Sequence, residues 1–473
     1  MNEQEKFEKL FNKYPHPVKS FYARPHISRR RFFNIVGTGV TASYLASKLP
    51  ATTVVTSTPV QTINRARNVI FILLAGAPSH TDTFDLKVLS GTTPATFNPT
   101  TVNGILWPMG LMPNLGAMTS DFAIVRSMQA WALVHSLAQT WTQIGRNPAG
   151  VLGNVSPNIG SVVAIEKQAE RTPSQVFPTF LALNSSGAAG PGYFPAEYAP
   201  FKVTPSTAGI KNTTNPDGQA RFNARWDFLH HLDDPLRVNS PDGQPMDDYD
   251  EFYTAAQGMM YNQLVTNAFK YSATDSTRYG GTSFGNACIL AKQALQANQG
   301  TRYVEITLGG WDMHQNIYAA NQLPTLGKQL DLGLSALITD LKASGDFSDT
   351  LIVMAGEFGR TVGKLTGAAG RDHLQQQFAF FAGAGITGGK VIGATDPTGA
   401  TTTDYGWSRQ RLIKPEDIES TIYSAMGINW TTVRHDDPLG RGFYYVPNSD
   451  QNIYGPINEL WQTPVTTREL DVA

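Results

Sequence analysis

Hydrophobic positions in this chain fall into short continuous runs separated by segments of helical spacing. The first run, Val69 to Leu74, is apolar at every position and ends at Ala75-Gly76. Such a run is typical of a strand that is buried on both faces of a parallel sheet. Further strands are predicted in the stretches DFAIVRSM, FPTFLALN, RYVEITLGG, DTLIVMAG and FAFFAGAGI.

Helical patterns alternate with these strands. HSLAQTWTQIGR predicts a short helix from Ser136, PNIGSVVAIEKQAE predicts a second one, and residues 323–345 predict an amphipathic helix that ends at Gly345. A terminal helix has Pro415 in its first turn, where proline is well tolerated. Strands that alternate with helices predict an α/β fold with a mostly parallel sheet.

The stretch from about residue 200 to residue 300 has a different character. It is polar and rich in turn residues at first, and then shows helical spacing in residues 248–272 and 284–298. We expect a helical insertion or cap over the sheet. The predicted organisation is an N-terminal tail and export signal in residues 1–57, followed by one α/β domain in residues 58–473.

The N-terminal segment carries a candidate export signal. Arg29 and Arg30 belong to a Ser-Arg-Arg-x-Phe-Phe order, and a weakly apolar run follows from Ile35 to Ala46. A transmembrane helix needs about 20 mostly apolar residues, so this run is too short and too polar for a stable transmembrane segment. The pattern predicts a twin-arginine signal, the twin-arginine export machinery as a partner, and a periplasmic or exported location. An ordinary basic amphipathic helix is the alternative.

Composition excludes several classes of site. The formal net charge is −1, which argues against a nucleic-acid-binding protein because such proteins need a basic face. Cys288 is the single cysteine, so neither an intramolecular disulfide nor a cysteine-based structural zinc site can form. Any metal ion must therefore be held by oxygen and nitrogen ligands.

Acidic, histidine and arginine residues flank the predicted strands. In an open parallel sheet, sites form outside the carboxyl ends of the strands, so residues at those ends are the candidates. Four of the nine histidines of the chain lie there. The candidates are His80 and Asp82 after the first strand, His135 and Ser136 after the second, Asp312 and His314, Glu357 and Arg360, and then Arg371, Asp372 and His373 just before FAFFAG.

These residue types suit a metal-dependent reaction. Carboxylates and neutral imidazoles are ligands for divalent Zn, Mn, Mg or Ca. We expect Asp372 and His373 to bind a metal ion together with Asp312 and His314, and Glu357, Asp82 and His80 are further candidate ligands. A group of buried acids without a cation would repel one another and lose hydration, which favours a bound ion.

Phosphoryl or sulfuryl chemistry also needs a cationic group and a nucleophile. Arg360 and Arg371 are candidate guanidinium groups that stabilise charge on the reacting oxygens. Ser136 would place a hydroxyl at a helix N-terminus, where the helix dipole favours an anion.

Each of these residues also has a purely structural interpretation. Ser136 would then be an N-cap, Asp312 a turn residue, and Glu357 and Arg360 an ion pair. Asp372 would serve a loop turn, and the neighbouring His373 would pack on the strand.

Five segments in order resemble a known family. NVIFILLAGAPSHTDTFD, GGWDMHQN, EFGRT, GRDHL and GITGGKVIGATD are similar to the exported bacterial family labelled domain of unknown function 1501, itself related to alkaline phosphatases and sulfatases. The resemblance extends over roughly Arg67 to Asn448. It implies an alkaline-phosphatase-like, three-layer α/β core, whereas the activity of the family is not established.

The wider superfamily implies roles for particular residues. Asp372 and His373 match its paired Asp-His metal ligands, and Asp312 and His314 match an upstream ligand group more loosely. HSLAQTWTQIGR resembles the sulfatase nucleophile segment, with His135 at the nucleophile position and Ser136 beside it. The acidic ligand that the superfamily has directly after the first strand is replaced by Ala75-Gly76-Ala77.

Two functions are compatible with these observations. The first is an exported metal-dependent hydrolase of phosphate or sulfate esters, including esters on polysaccharides. The alternative is a non-catalytic envelope protein of the same fold that binds a metal ion or an anionic glycan.

Overall fold

The strongest hydrophobic runs of the chain form one sheet of eight strands. The structure is a computed structural model that describes residues 55–237 and 243–461, so the predicted export signal at Arg29 and Arg30 lies outside the described residues. In chain order the strands are β1 (Asn68–Leu73), β2 (Phe122–Gln129), β3 (Phe180–Leu183), β4 (Phe201–Val203), β5 (Tyr303–Thr307), β6 (Thr350–Ala355), β7 (Gln376–Gly383) and β8 (Lys390–Ile392).

The sheet is mostly parallel, as the sequence predicts. Its strand order is β8-β2-β7-β6-β1-β5-β3-β4. β7 is antiparallel to both of its neighbours, β2 and β6, and the other neighbouring strands pair in parallel. Seven strands therefore share one direction and β7 has the opposite one. This confirms the predicted α/β class with a mostly parallel sheet.

The reversed strand β7 determines which residues share an edge of the sheet. A residue that precedes an antiparallel strand lies at the edge where the parallel strands end. His373 precedes β7, whereas Asp312 follows β5 and Glu357 follows β6. The reversal thus brings these three residues to one edge, although the sequence pattern alone does not show the direction of β7.

Helices connect the strands. Among the described residues, the α-helices are α1 (Pro113–Gly116), α2 (His135–Ile144), α3 (Ile159–Lys167), α4 (Gln219–Asp233), α5 (Gln244–Met259), α6 (Gln263–Ala268), α7 (Ala273–Arg278), α8 (Ser283–Gln296), α9 (Leu323–Ser344) and α10 (Pro415–Ala425).

Helices cover both faces of the sheet. In β1, Ile70 and Ile72 belong to a core that includes residues of α8 and α9, whereas Val69 and Phe71 belong to a core that includes residues of α3 and α10. Successive side chains of a strand point to opposite faces, so a strand that is apolar throughout can be buried on both sides. The result is a three-layer arrangement of helix, sheet and helix.

The helix starts depart slightly from the prediction. α2 begins at His135, and Val134 rather than Ser136 occupies its N-cap position. α3 begins at Ile159, where the side-chain oxygen of Asn158 accepts a hydrogen bond from the backbone N–H of Gly160 at 2.7 Å. This shift places His135 itself on the first turn of α2, at the edge of the sheet.

Helices α4 to α8 fill the stretch between β4 and β5. α8 has a buried face that includes Phe284 and Leu290, whereas α4 has no buried residue. The sequence pattern does not predict α4 as a separate helix, because its apolar residues, such as Phe222, Phe228 and Leu229, do not form a single stripe. Within the described residues, no helix has the length and apolar character needed to cross a membrane.

The loops around the sheet contain further short strands. Two of them pair beside the candidate site: Gly359–Arg360 is antiparallel to His373–Leu374. The others are Val55–Thr56, Pro99–Val102, Ile105–Pro108, Ala394–Thr395, Thr402–Asp404, Val433–Arg434 and Phe443–Tyr444.

Candidate metal centre

Four side chains converge at the carboxyl edge of the sheet. His135, Asp312, His314 and His373 each offer one ligand atom, and these atoms all lie within 4.8 Å of one another. His135 begins α2, Asp312 and His314 lie in the loop after β5, and His373 precedes β7. Three separate loops therefore supply one cluster of three imidazoles and one carboxylate.

The Nε2 atoms of the histidines face one another and the carboxylate. The Nε2 atom of His314 lies 3.1 Å from Nε2 of His373 and 3.0 Å from Oδ1 of Asp312. Nε2 of His135 lies 3.2 Å from the same oxygen. Although this Nε2 atom is buried, it forms no hydrogen bond to a described residue. A divalent cation would give it a partner, so the cluster fits a metal ion.

Carboxylates outside the cluster orient two of the imidazoles. Nδ1 of His135 lies 2.7 Å from Oε1 of Glu357, and Nδ1 of His314 lies 2.9 Å from Oδ1 of Asp372. A carboxylate accepts the hydrogen bond, so in the neutral imidazole each Nδ1 carries the proton and each Nε2 keeps a lone pair. Metal-binding histidines commonly show this arrangement, in which an outer carboxylate fixes the ring and its tautomer.

The third imidazole is oriented by the backbone. Nδ1 of His373 donates to the carbonyl oxygen of Leu133 at 2.8 Å. A carbonyl oxygen has no proton to give, so the proton must be on Nδ1 and the lone pair on Nε2. Leu133 lies in the loop before α2, which also carries His135. One loop therefore provides a candidate ligand and fixes a second.

Glu357 is buried beside the end of β1. Its Oε1 accepts hydrogen bonds from the backbone N–H of Gly76 at 2.9 Å, from Nε2 of Gln139 at 2.9 Å and from His135. Its Oε2 is buried without a hydrogen-bonding partner among the described residues. The carboxylate that the sequence lacks directly after the first strand is thus supplied next to Gly76 from the end of β6.

Arg360 is fully buried behind the cluster. Its Nε donates to the carbonyl oxygen of Ala77, and its Nη2 donates to the carbonyl oxygen of Gly76 and to Oδ1 of Asp312 at 2.6 Å. Its Nη1 donates to the carbonyl oxygen of Arg371. Most donors of Arg360 are engaged by the protein itself, so its role in this geometry is to hold Asp312 in place.

The electrostatic environment favours the metal-binding forms. Burial acts to raise the pKa of Asp312, but the hydrogen bond and charge of Arg360, with His135 and His314 nearby, lower that pKa below its usual value. Burial is the main cause of the lowered pKa of His373, and the charge of Arg360 adds to it, whereas the hydrogen bond to the carbonyl oxygen of Leu133 acts against it. Metal binding requires an ionised carboxylate and a neutral imidazole, and these shifts favour both.

Asp372 is not one of the four clustered residues, but it contacts one of them. The sequence predicts this residue as a ligand, and the structure instead hydrogen-bonds its Oδ1 to Nδ1 of His314. Its backbone N–H donates to the hydroxyl of Thr361, and its carbonyl accepts from the backbone N–H of Thr361. In this geometry Asp372 orients a ligand rather than acting as one.

The sequence predicts Asp82 and Arg371 at the site, whereas the structure pairs them with each other. Nε of Arg371 lies 2.6 Å from Oδ2 of Asp82, and both side chains are almost fully buried. Asp82 also accepts hydrogen bonds from the hydroxyls of Ser79 and Tyr318. Because the carboxylate and the guanidinium satisfy each other, the structure shows neither a metal ligand at Asp82 nor a substrate-facing cation at Arg371.

His80 and Ser136 also lie outside the cluster. Nε2 of His80 contacts the carbonyl oxygen of Gly399 at 2.8 Å, and burial is the main cause of its lowered pKa. Ser136 is exposed on the first turn of α2, next to His135. The predicted nucleophile segment thus contributes the imidazole of His135 to the cluster.

Two groups at the site, the side chain of Gln139 and the carbonyl oxygen of Leu133, are not predicted from the sequence. Gln139 lies four residues after His135, so one turn of α2 places both side chains on Glu357. That spacing is a signal that the sequence does contain. The carbonyl oxygen of Leu133 has no such signal, since any residue type has a backbone carbonyl.

Comparisons with known proteins agree with the family suggested by the sequence. The sequence model of the family described as "Protein of unknown function (DUF1501)" matches residues 66–452. No curated protein gives a significant match.

The chain also shows low similarity to several solved structures. The PsFucS1 sulfatase from Pseudoalteromonas sp. is 12% identical, over 77% of this chain and 68% of that chain, with a TM-score of 0.37. A protein in the alkaline phosphatase superfamily from Vibrio parahaemolyticus is 12% identical, over 80% and 71%, with a TM-score of 0.36. The phosphonate monoester hydrolase of Agrobacterium radiobacter is 12% identical, over 76% and 74%, with a TM-score of 0.35.

Proposed function

The chain belongs to the family described as Protein of unknown function (DUF1501), and we propose that it is an exported metal-dependent hydrolase of phosphate or sulfate esters. One observation carries this proposal. The Nε2 atoms of His135, His314 and His373 and a carboxylate oxygen of Asp312 converge within 4.8 Å, and the other nitrogen of each ring is held by a hydrogen bond.

The donor set favours zinc. Three imidazole nitrogens and one carboxylate oxygen match the ligands that Zn²⁺ prefers in proteins, whereas Ca²⁺ and Mg²⁺ prefer oxygen ligands alone. Mn²⁺ accepts mixed nitrogen and oxygen ligands and is the next candidate. When bound, such an ion supplies a Lewis acid for an ester oxygen and lowers the pKa of a coordinated water.

The residues of the chain prepare the centre for this chemistry. Glu357 and Asp372 fix the tautomers of His135 and His314, so that their Nε2 atoms can bind a cation. Arg360 holds Asp312 and favours its ionised form. We assign His135 to metal binding rather than to nucleophilic attack, because its Nε2 atom belongs to the cluster.

A second candidate function is a non-catalytic envelope protein that binds a metal ion or an anionic glycan. It is favoured by the engagement of both predicted guanidinium groups. Arg371 is paired with Asp82, and Arg360 is bonded to backbone carbonyls and Asp312. Ser136, the predicted hydroxyl nucleophile, lies outside the cluster.

Metal analysis combined with an activity screen tests the proposal. The full chain as purified is expected to contain about one equivalent of zinc and to hydrolyse at least one member of a panel of aryl and glycosyl phosphates and sulfates. His314→Ala should abolish both properties. His231→Ala is the matched control, because this histidine is exposed on α4. A protein that binds zinc and leaves every ester intact would favour the non-catalytic alternative.

A further inference from the structure

A cavity lies beside the candidate metal centre. Its volume is about 420 Å³, within the range of about 300–1,000 Å³ that is typical of small-molecule sites. It is formed by the loop after β5 and the loop between β6 and β7. The lining residues are Asn316, Tyr318, Ala319, Asn321, Gln322, Leu365 and Ala369.

The same two loops carry Asp312, His314 and His373 of the candidate metal centre. The backbone N–H of Arg371 donates to the carbonyl oxygen of Met313 at 3.0 Å, and Gln315 pairs with Ala369 in an antiparallel bridge. Gly370 allows this close approach, because a Cβ atom there would lie 1.9 Å from the carbonyl carbon of His314. The two loops are therefore held together between the metal centre and the cavity.

The distance from the centre to the cavity is short. Asn316 follows His314 by two residues, and consecutive Cα atoms are about 3.8 Å apart, so these two Cα atoms are at most about 8 Å apart. Ala369 likewise precedes Asp372 by three residues. The metal centre and the cavity are therefore neighbours on the same pair of loops.

The cavity wall has no charged residue. The carboxamides of Asn316, Asn321 and Gln322 can each donate and accept hydrogen bonds, as a hydroxyl group does. Leu365 and the ring of Tyr318 add apolar surface. An anion would find no cation in this wall, and a cation would find no carboxylate. A neutral ring with hydroxyl groups on its edge and C–H groups on its face matches it best.

We propose that this cavity binds a neutral sugar ring of the ester substrate. This proposal rests on the proposed function in one respect: it takes the sugar ring to be part of the same substrate molecule as the ester at the metal centre. It makes the substrate class a sugar phosphate or a sugar sulfate, with the ester at the metal centre and an uncharged ring at the amide-lined wall.

A hydrogen-bond network joins the cavity to the centre. The hydroxyl of Tyr318 donates to Oδ1 of Asp82 at 2.7 Å and accepts from Nη2 of Arg371 at 3.1 Å. Arg371 directly precedes Asp372, which orients His314. A sugar ring that packs against Tyr318 therefore contacts a residue that is hydrogen-bonded to Arg371. Arg371 lies in the loop that also carries Asp372 and His373.

Equilibrium binding tests the proposal without reference to hydrolysis. The full chain as purified is titrated with galactose, N-acetylglucosamine and lactose, and binding is followed by saturation-transfer NMR and calorimetry. Glucosamine and glucuronate are the cationic and anionic probes of the same size. The neutral sugars are expected to bind, and the two charged probes are expected to bind at least about 10-fold more weakly, because the wall offers no counter-charge.

Substitutions in the cavity wall test whether the sugars bind there. Asn321→Trp replaces a hydrogen-bonding carboxamide of the wall with a bulky indole and should weaken sugar binding by about 10-fold or more, and Asn316→Ala should weaken it through the loss of one hydrogen-bonding group. Lys364→Ala is the control, because this exposed residue neighbours the wall without lining it. Metal content and thermal unfolding are measured for each variant, so that a misfolded protein is recognised.

The outcomes separate this proposal from the proposed function. No binding of any neutral sugar, or equal binding by Asn321→Trp and Asn316→Ala when both are folded, would overturn the cavity proposal even if esters are hydrolysed. Sugar binding that both variants weaken supports the cavity proposal even if no ester in the panel is cleaved.

Discussion

The Nδ1 atom of His135 lies 2.7 Å from the Oε1 atom of Glu357, although 222 positions separate the two residues in the sequence. His135 begins α2 and Glu357 follows β6, so the contact joins two strand ends of the sheet. Glu357 is buried, and the same oxygen also accepts from Gly76 and Gln139. Three parts of the chain, the end of β1, the helix α2 and the end of β6, thus meet at one carboxylate that orients one imidazole of the cluster.

This contact predicts the effect of Glu357→Gln. The amide keeps the size of the side chain but accepts a hydrogen bond from Nδ1 less strongly, so the His135 ring is less firmly held. We expect metal affinity to fall by about 10–100-fold, the range for outer partners of metal-binding histidines. Competition with a chromophoric chelator measures it. Glu305→Gln, at a buried carboxylate in β5, is the control; an equal loss in both variants would contradict the prediction.

The two residues of the Asp-His pair should differ in effect. His373→Ala removes a candidate ligand, whereas Asp372→Ala removes only the partner that orients His314. Both variants should lower bound metal by about 10-fold or more, with the larger loss for His373→Ala. Elemental analysis after equilibrium dialysis measures it. Wild-type metal content in His373→Ala would exclude this residue from the site.

The sequence predicts the edge of the sheet where the site lies, because strand-end positions follow from the parallel pattern. It also predicts Asp312, His314 and His373, which the structure brings together with His135. It cannot predict the direction of β7, since a buried apolar strand has the same pattern in either orientation. That direction is what places His373 at the shared edge.

Pairing between distant residues is the part that the sequence leaves open. Asp82 and Arg371 have the residue types of a ligand and a catalytic cation, and both lie near the correct edge. The structure pairs them with each other at 2.6 Å. Nothing in a single sequence distinguishes a carboxylate that binds a metal ion from one that neutralises a buried guanidinium.

The buried pair of Asp82 and Arg371 predicts a large stability effect. Asp82→Ala leaves the guanidinium of Arg371 buried and uncompensated, and breaking such a pair costs about 3–5 kcal/mol. We expect the free energy of unfolding to fall by about that amount in urea titrations. Asp217→Ala is the control, because its pair with Arg225 is exposed and should contribute at most about 1 kcal/mol. Similar losses in the two variants would show that the Asp82 pair is not specially important.

Glu419 predicts a pH-dependent effect on stability. Burial, with Glu416 nearby, raises its pKa from 4.5 to about 8, against the influence of Arg146 and Tyr423. In the unfolded chain the carboxyl ionises above about pH 4.5, whereas in the folded chain it stays protonated up to about pH 8. Its contribution to stability is therefore fully present below about pH 4.5 and is lost as the pH rises toward 8.

Glu419→Gln cannot ionise and should escape this loss. Relative to the wild type, the variant should gain stability between pH 5 and pH 8 by a few kcal/mol, since each unit of pKa shift corresponds to about 1.4 kcal/mol. Thermal unfolding at several pH values measures the difference. Glu197→Gln, at an exposed glutamate, should show no such trend. A constant difference between Glu419→Gln and the wild type would contradict the raised pKa.

Export is tested at Arg29 and Arg30, which lie outside the described residues. Replacing both by lysine keeps the positive charge and removes the two planar guanidinium groups that a receptor would recognise. We expect the doubly substituted precursor to remain in the cytoplasm, as measured by fractionation and immunoblotting of the full chain. Arg24→Lys is the control, because this arginine lies outside the Ser-Arg-Arg-x-Phe-Phe order. If the double variant reached the periplasm as efficiently as the control, the basic amphipathic N-terminal helix would be the better interpretation of Arg29 and Arg30.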